Sequence, residues 1–105
     1  MEFDLENDPK QCPVARCMEV FGGKWTLLLL FRIAKGTNRF GALQRGIPSI
    51  SKQMLTAELR ELEANGLLDR KVFAEIPPRV EYTISPKGET LFPIINAMRE
   101  WGENH

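Results

Sequence analysis

Residues 50–68, ISKQMLTAELRELEANGLL, carry side chains whose types and spacing suit the recognition of another molecule. Ser51 is a favourable N-cap and predicts a helix that begins directly after it. At about 100° per residue, four polar side chains share the outward side of this helix: Lys52, Gln53, Thr56 and Arg60. Lys and Arg donate to guanine O6 and N7, Gln pairs with adenine, and the Thr methyl group contacts thymine. The face therefore predicts a surface that reads DNA; the alternative is a solvated face that is basic at one end.

The opposite side of the same helix predicts its packing. Leu55, Leu59 and Leu62 fall within a narrow sector that must face the core, with Met54 on its flank. Glu58 lies near this apolar sector, so we expect it to be ion-paired or at the edge of the core. Free N–H groups at the helix N-terminus, beside Ser51, suit contact with a phosphate.

Charge is unevenly distributed along a chain whose formal net charge is zero. Residues 1–23 and 61–105 each carry a net charge of about −3, whereas residues 24–60 hold seven bases and one acid. A basic middle between acidic ends indicates one positive surface, which is typical of nucleic-acid binding. Six further bases could anchor or approach the DNA backbone, although each could instead be a plain surface charge: Lys24, Arg39, Arg45, Arg70, Lys71 and Arg79.

The surrounding pattern predicts a helix–turn–helix with a wing. We expect helices over Pro13–Phe21 and Lys24–Lys35, a very short strand over residues 37–40 (TNRF), and a short helix in residues 41–45 that ends at Gly46. The polar-faced helix follows and should end at Asn65-Gly66. Residues 67–73 and 79–84 alternate apolar with polar side chains, which predicts two strands of a β-hairpin. The fold class is thus mostly α with a small β-hairpin wing, a winged helix–turn–helix.

A last helix should open at Ser85-Pro86, with Pro93 kinking it or delaying its start. Residues 1–11 are expected to be a flexible N-terminal arm and residues 12–105 a single domain. That arm has no apolar signal core, and the longest apolar run, Leu27–Phe31, is far shorter than the roughly 20 residues that a membrane span needs. We therefore expect a cytoplasmic protein that does not enter a membrane.

Enzymatic function is disfavoured by the residues available. The single histidine is His105 at the end of the chain, and no glycine-rich phosphate loop or nucleophile–base pair can be assembled. Cys12 and Cys17 have the spacing C-x4-C without further ligands, so no metal site, no cofactor and no structural disulfide are expected. The remaining alternative to a DNA-binding regulator is a winged-helix protein-interaction module without sequence-specific DNA binding. Acids on the outward face after Ser51 would have favoured that module.

Several motifs together resemble one known family. They are CPV (12–14), GGKW (22–25), RF (39–40), IPSISKQMLTAELRELEANGLL (47–68), PPRVEYTIS (77–85) and LFPIINAMREWG (91–102). In this order and spacing they look like the HxlR-type (MarR-like) family of winged helix–turn–helix transcriptional regulators, repressors or activators of transcription. The resemblance covers nearly the whole chain from Cys12 to Gly102.

This resemblance implies a homodimer on double-stranded DNA. The first and last helices would pack across the two-fold axis and place two recognition helices in successive major grooves of a near-palindromic operator. The residues expected at that interface are Val14, Met18, Leu91, Ile94, Ile95, Met98 and Trp101. The apolar stripe from Leu91 to Trp101 independently suits association, because one small domain has little core left to cover it. Part of the stripe could equally be intramolecular core.

Cys12 matches the cysteine that opens the family's CPV motif. In some members this position senses oxidants or small electrophiles through modification of the thiol, so Cys12 is a candidate redox sensor. A helix N-terminus stabilises a thiolate, which supports reactivity; the alternative is a small side chain that packs at the dimer interface. Cys17 has no counterpart in the motif. We expect it in the core, with an intersubunit bridge as the less favoured alternative.

Overall fold

Six helices and two strands follow one another in residues 12–105, the part of the chain that the computed structural model describes. The predicted flexible arm, residues 1–11, lies outside the described residues. The elements are α1 (Pro13–Phe21), α2 (Thr26–Ala34), α3 (Phe40–Gly46), α4 (Lys52–Ala64), β1 (Leu68–Phe73), β2 (Arg79–Ile84), α5 (Pro86–Glu89) and α6 (Phe92–Asn104). The predicted fold class is confirmed: the chain is mostly helical, and α3 and α4 precede a hairpin wing.

Local signals define both ends of α4. The hydroxyl of Ser51 accepts a hydrogen bond from the backbone N–H of Met54 at 3.0 Å, as a helix N-cap does. After the C-cap Asn65, Gly66 adopts φ +75°, a left-handed conformation that favours glycine. The predicted start and stop of this helix are therefore confirmed.

Two predictions about the segments before α4 are wrong. Lys24 and Trp25 lie in the turn ahead of α2, which begins only at Thr26. The expected short strand over residues 37–40 does not form. In this segment, the carbonyl of Asn38 accepts a hydrogen bond from the N–H of Tyr82 in β2, at 2.9 Å. A longer ladder is impossible because α3 already begins at Phe40.

The C-terminal helix is divided in two. Ser85 caps α5 by accepting a hydrogen bond from the N–H of Gly88 at 3.0 Å, and α5 ends after one turn. The second helix, α6, begins at Phe92 with Pro93 in its first turn, where a proline needs no hydrogen-bonded N–H. The predicted delay of the helix start by Pro93 is confirmed.

The core lies where α2, α3 and α4 meet the base of the wing. Apolar side chains from every one of these elements are buried there: Leu29, Leu30, Ile33, Leu43, Ile47, Ile50, Leu55, Leu59, Leu62, Leu67, Leu68 and Ile95. The three predicted core leucines of α4 are among them. Glu58 is half-buried and forms no ion pair with any described residue, so it lies at the edge of the core.

The wing is an antiparallel pair of strands in which Leu68 lies opposite Ile84 and Phe73 opposite Arg79. Successive side chains alternate between its two faces. Arg70 and Tyr82 lie opposite each other on one face, and Lys71 and Glu81 on the other. Within residues 12–105, no helix is long and apolar enough to cross a membrane.

Candidate nucleic-acid interface

The N-terminal part of α4 presents the polar side chains that were predicted to read DNA. Lys52, Gln53 and Arg60 are exposed, and within the described residues neither Lys52 nor Arg60 takes part in an ion pair. Thr56 is half-buried, and its hydroxyl donates to the carbonyl of Lys52 at 2.9 Å. That bond occupies the hydroxyl proton, so a threonine contact with DNA would use the methyl group. Ser51 is exposed and its oxygen is occupied by the cap.

A polar cleft lies between α4 and the wing, with a volume of about 240 Å³. The residues that line this α4–wing cleft are Phe40, Thr56, Arg60, Glu63, Arg70 and Tyr82. The Nε of Arg70 lies 3.6 Å from Oε2 of Glu63, so a cation and an anion of the cleft are paired. The sequence did not indicate this cleft, because its walls come from helix and strand segments whose contact only the fold creates.

Tyr82 is the cleft residue whose ionisation is shifted. Burial raises the pKa of the Tyr82 phenol above 10.0, because the charged phenolate is poorly solvated there. The positive charge of Arg70 opposes this increase, Glu63 adds to it, and Arg60 opposes it. A tyrosine phenol is protonated at neutral pH without any shift, and burial makes its ionisation still less favourable, so Tyr82 is a hydrogen-bond donor.

A second cluster joins α3 to the wing. Oε2 of Glu81 lies 3.4 Å from Nη2 of Arg39 and 3.3 Å from Nε of Arg79. Arg39 is the N-cap residue of α3, and Arg79 opens β2. The structure thus brings together two bases that lie 40 residues apart in the sequence. Glu81 was missed by sequence reasoning; the available signal was its place two residues after Arg79, on the same face of β2.

Arg79 is held on three sides. Its guanidinium stacks 3.9 Å from the ring centre of Phe73, its partner across the hairpin. Nη2 also lies 3.6 Å from Oε1 of Glu75. Nε is buried without a hydrogen bond, because its contact with Glu81 lacks hydrogen-bond geometry. Arg79 is consequently a well-positioned cation and not a freely moving one.

The other predicted anchoring bases are exposed and separate. Nζ of Lys24 lies 4.8 Å from the ring centre of Trp25, and Nζ of Lys71 lies 5.0 Å from that of Phe73. Arg45 is exposed in the last turn of α3. These three bases are thus accessible but are not gathered into one site.

The predicted dimer residues divide into exposed and buried ones. Most lie on the surface of the single chain, namely Val14, Met18, Ile94, Met98 and Trp101. Leu91 is half-buried. Ile95 belongs to the chain's own core, so the expectation that it faces a second copy is replaced by the intramolecular alternative. Among the described residues of α6, Ile95 is the one that is buried.

Both cysteines are free thiols, in different surroundings. Cys12 is the N-cap residue of α1 and is only 2% exposed. Cys17 is half-buried and, with Val20, Phe21 and Leu91 among its neighbours, lines an apolar cleft of about 310 Å³. The expectation of a core position for Cys17 is therefore met only in part, because the residue is half-buried and one side of it faces the open cleft.

Comparison with known proteins agrees with this architecture. The model of the HxlR-like helix-turn-helix family matches residues 20–105. The Bacillus subtilis (strain 168) protein YybR, described as an uncharacterized HTH-type transcriptional regulator, is 46% identical over 94 residues, which are 90% of this chain and 75% of that protein. A regulator from Methanothermobacter thermautotrophicus is 44% identical over 95% of this chain and 76% of its own length.

Solved structures are similar over the same region. The redox regulator HypR in its oxidized form has a TM-score of 0.85 and 46% identity, covering 90% of this chain and 97% of that chain. The reduced form of the transcriptional regulator YodB from B. subtilis has a TM-score of 0.76 and 33% identity. The match covers 88% of this chain and 91% of that chain. These proteins are transcriptional regulators and not enzymes. The chain belongs to the HxlR-like helix-turn-helix family and is a DNA-binding transcriptional regulator of the winged helix–turn–helix type.

Proposed function

We propose that the protein binds a near-palindromic operator as a homodimer and recognises its sequence through α4. The observation that carries this proposal is the exposed polar face of α4, where Lys52 and Gln53 lie in the first turn and Arg60 follows about two turns later. These side chains are exposed and, among the described residues, Lys52 and Arg60 have no ionic partner, while the opposite side of α4 is buried in the core. A helix held in this way can enter a major groove without unfolding any part of the domain.

The remaining bases give this proposal its backbone contacts. Arg39 at the start of α3 and Arg79 at the start of β2 are held near each other by Glu81. Lys24, Arg45 and Lys71 are exposed and supply further positive charge. Contacts of these bases with phosphates would position the domain without selecting a sequence. Binding should therefore weaken steeply as salt is raised.

The proposed dimer rests on α1 and α6. No residue of α1 is buried, and the last ten residues, 96–105, are all exposed. An isolated helix of this length is marginal in water, so an exposed helix with Met98 and Trp101 on its surface needs a partner for stability. A second copy related by a two-fold axis would cover this surface and set two α4 helices about 34 Å apart, one turn of DNA.

We further propose that Cys12 responds to an oxidant or a small electrophile. HypR, a similar protein, is described as a redox regulator and was solved in both oxidized and reduced forms. Cys12 stands at the N-terminus of α1, the helix that carries Val14 and Met18 of the proposed interface. Modification of a buried thiol at this point would force α1 to move and so change the distance between the two α4 helices.

Selection of duplexes from a random pool, followed by fluorescence anisotropy in a salt series, tests the function. We expect enrichment of an inverted repeat and a preference of at least a thousandfold over a scrambled duplex. Lys52→Glu should lower operator affinity by about ten- to a hundredfold, since one good base or phosphate contact is worth about 1–3 kcal/mol. Lys35→Glu is the matched control. It makes the same change of charge at the end of α2, beside Phe31 and outside α4.

The winged-helix interaction module without specific DNA binding predicts a different result. Selection would then enrich no common sequence, and Lys52→Glu would change affinity no more than Lys35→Glu does. That pair of results would remove sequence recognition from α4.

A further inference from the structure

We propose that the α4–wing cleft is a binding site for one phosphodiester group of the DNA backbone, in which Arg60, Arg70 and Tyr82 act together. Arg60 would then contact a phosphate and not read a base. The inference rests on the proposed function, because it requires that α4 and the wing both lie against DNA. It assigns a ligand class to a cleft that neither the helix nor the hairpin forms by itself.

The first step of the argument is the position of Arg60. Thr56, Arg60 and Glu63 follow one another at helical spacing along α4 and all line the cleft, so this side of α4 faces the wing. Lys52 and Gln53, one to two turns earlier, do not line it. The four predicted reading residues are thus divided between the exposed first turn of α4 and the wall of the cleft.

The second step is the chemistry of the walls. Arg60 is exposed and has no ion pair within residues 12–105, so its guanidinium is available to an anion. Arg70 contacts Glu63 through Nε, at 3.6 Å, and its guanidinium carries further N–H donors. Tyr82 contributes a phenolic O–H, which is protonated at neutral pH and can donate a hydrogen bond. Guanidinium groups donate strong, charge-assisted hydrogen bonds to phosphate oxygens, and tyrosine hydroxyls also donate to them.

The third step is charge and size. Glu63 offsets one of the two cations, so the cleft carries a net positive charge of about one, which matches one phosphodiester. The volume of about 240 Å³ exceeds the roughly 30 Å³ that one water occupies. Several waters, or a phosphate group in their place, therefore fit.

The fourth step is location. A helix in the major groove has one phosphate strand on each side of it. The cleft lies on the side of α4 that faces β1 and β2, between the two elements expected to contact DNA. The backbone strand that passes from the groove of α4 towards the wing must cross this point.

Phosphate contacts and base contacts differ in a measurable way. Arg60→Gln should weaken binding to the selected duplex and to a scrambled duplex by the same factor, about tenfold, and lower the salt slope by about one. Tyr82→Phe, which removes a single donor, should weaken both by about threefold. Glu63→Gln, which removes the negative charge of the cleft, should tighten both. Lys35→Gln, at the exposed end of α2 and outside the cleft, is the control and should leave both unchanged.

A second measurement identifies which phosphate group of the duplex Arg60 contacts. Neutral methylphosphonate is substituted for one backbone phosphate at a time in the selected duplex. At one position on each half-site, Arg60→Gln should cause no further loss, because the contact has already been removed. Circular dichroism of each variant confirms that it is folded before binding is compared.

Some results would overturn the site. If Arg60→Gln weakens binding to the selected duplex alone, with an unchanged salt slope, Arg60 reads a base and the inference fails while the proposed function stands. If the unchanged protein binds all duplexes equally, operator recognition fails, but a uniform loss with Arg60→Gln still supports the phosphate site. If the unchanged protein binds no duplex, both the function and the site are rejected.

Discussion

Arg39 and Glu81, 42 residues apart in sequence, form an ion pair at 3.4 Å that connects the N-cap of α3 to β2 of the wing. The same carboxylate oxygen lies 3.3 Å from Nε of Arg79. A backbone hydrogen bond from the N–H of Tyr82 to the carbonyl of Asn38, 2.9 Å long, joins the same two regions. The wing is thereby held in a defined position relative to the helix–turn–helix.

Glu81→Gln tests how far this carboxylate stabilises the domain. The substitution keeps the shape of the side chain and removes its charge, so both arginine contacts are weakened. The side chains of Arg39 and Arg79 are 53% and 30% exposed, and exposed pairs contribute about 0–1 kcal/mol each. We expect the free energy of unfolding in urea to fall by about 1 kcal/mol. Glu103→Gln, which affects only the exposed pair with Arg99, should cost about 0.5 kcal/mol or less; equal losses would contradict the role of Glu81.

Gly88→Ala is expected to be strongly destabilising. A Cβ at this buried position would collide with the carbonyl oxygen of Leu67 and lie 2.9 Å from Cγ2 of Ile84. Overpacking against backbone typically costs about 1–3 kcal/mol. Gly102 in α6 is the matched control, since a Cβ there meets no atom within 4 Å and alanine should stabilise the helix by about 0.5–1 kcal/mol. Urea unfolding of the two variants should change in opposite directions; a shift of the same sign would refute the packing argument.

Met98→Glu and Trp101→Glu test the proposed dimer surface. Trp101 is 66% exposed in the single chain, and a carboxylate would be costly to bury if a second copy covered it. Sedimentation equilibrium should find a dimer for the unchanged protein and a monomer for each variant at micromolar concentration. Ile76→Glu, at the fully exposed tip of the wing, places the same charge elsewhere and should leave the dimer intact. A monomeric unchanged protein would rule out the dimer directly.

Cys12→Ser tests the proposed sensing of oxidants. The variant should bind the selected duplex as well as the unchanged protein does, but should no longer release it on treatment with diamide or a quinone. Cys17→Ser should keep the response, because Cys17 lines an apolar cleft and is not the cysteine at the N-terminus of α1. Anisotropy before and after treatment measures both variants. Release by Cys12→Ser equal to that of the unchanged protein would place the sensor at another residue.

The elements that the sequence predicted well depend on neighbours in the chain. The limits of α4 follow from the Ser51 cap and from the left-handed Gly66, and its buried side follows from the spacing of Leu55, Leu59 and Leu62. The wing follows from alternation in residues 68–84. These interactions span a few residues, so the types of those residues are sufficient to specify them.

Two of the predictions that failed were decided by neighbouring segments, and one depended on contacts between distant segments. The start of α2 and the missing strand at residues 37–40 were decided by competition with the adjoining turn and with α3. Ile95 resembles the rest of the apolar stripe in type and spacing, yet it is buried in the core and Leu91 packs against that core, whereas Ile94, Met98 and Trp101 are exposed. Periodicity identifies an apolar stripe but not what covers it.

The sequence by itself determined the order of the elements, the family and the polar face at the start of α4. Only the tertiary structure decided that Glu81 holds Arg39 and Arg79, and that Arg60 lies beside Arg70 and Tyr82 in one cleft. The physical reason is that hydrogen bonds and ion pairs act over about 3–4 Å. Whether residues that are 10 to 42 positions apart in sequence come within that distance depends on how the helices pack against the wing. The spacing of residues along the chain does not encode this packing.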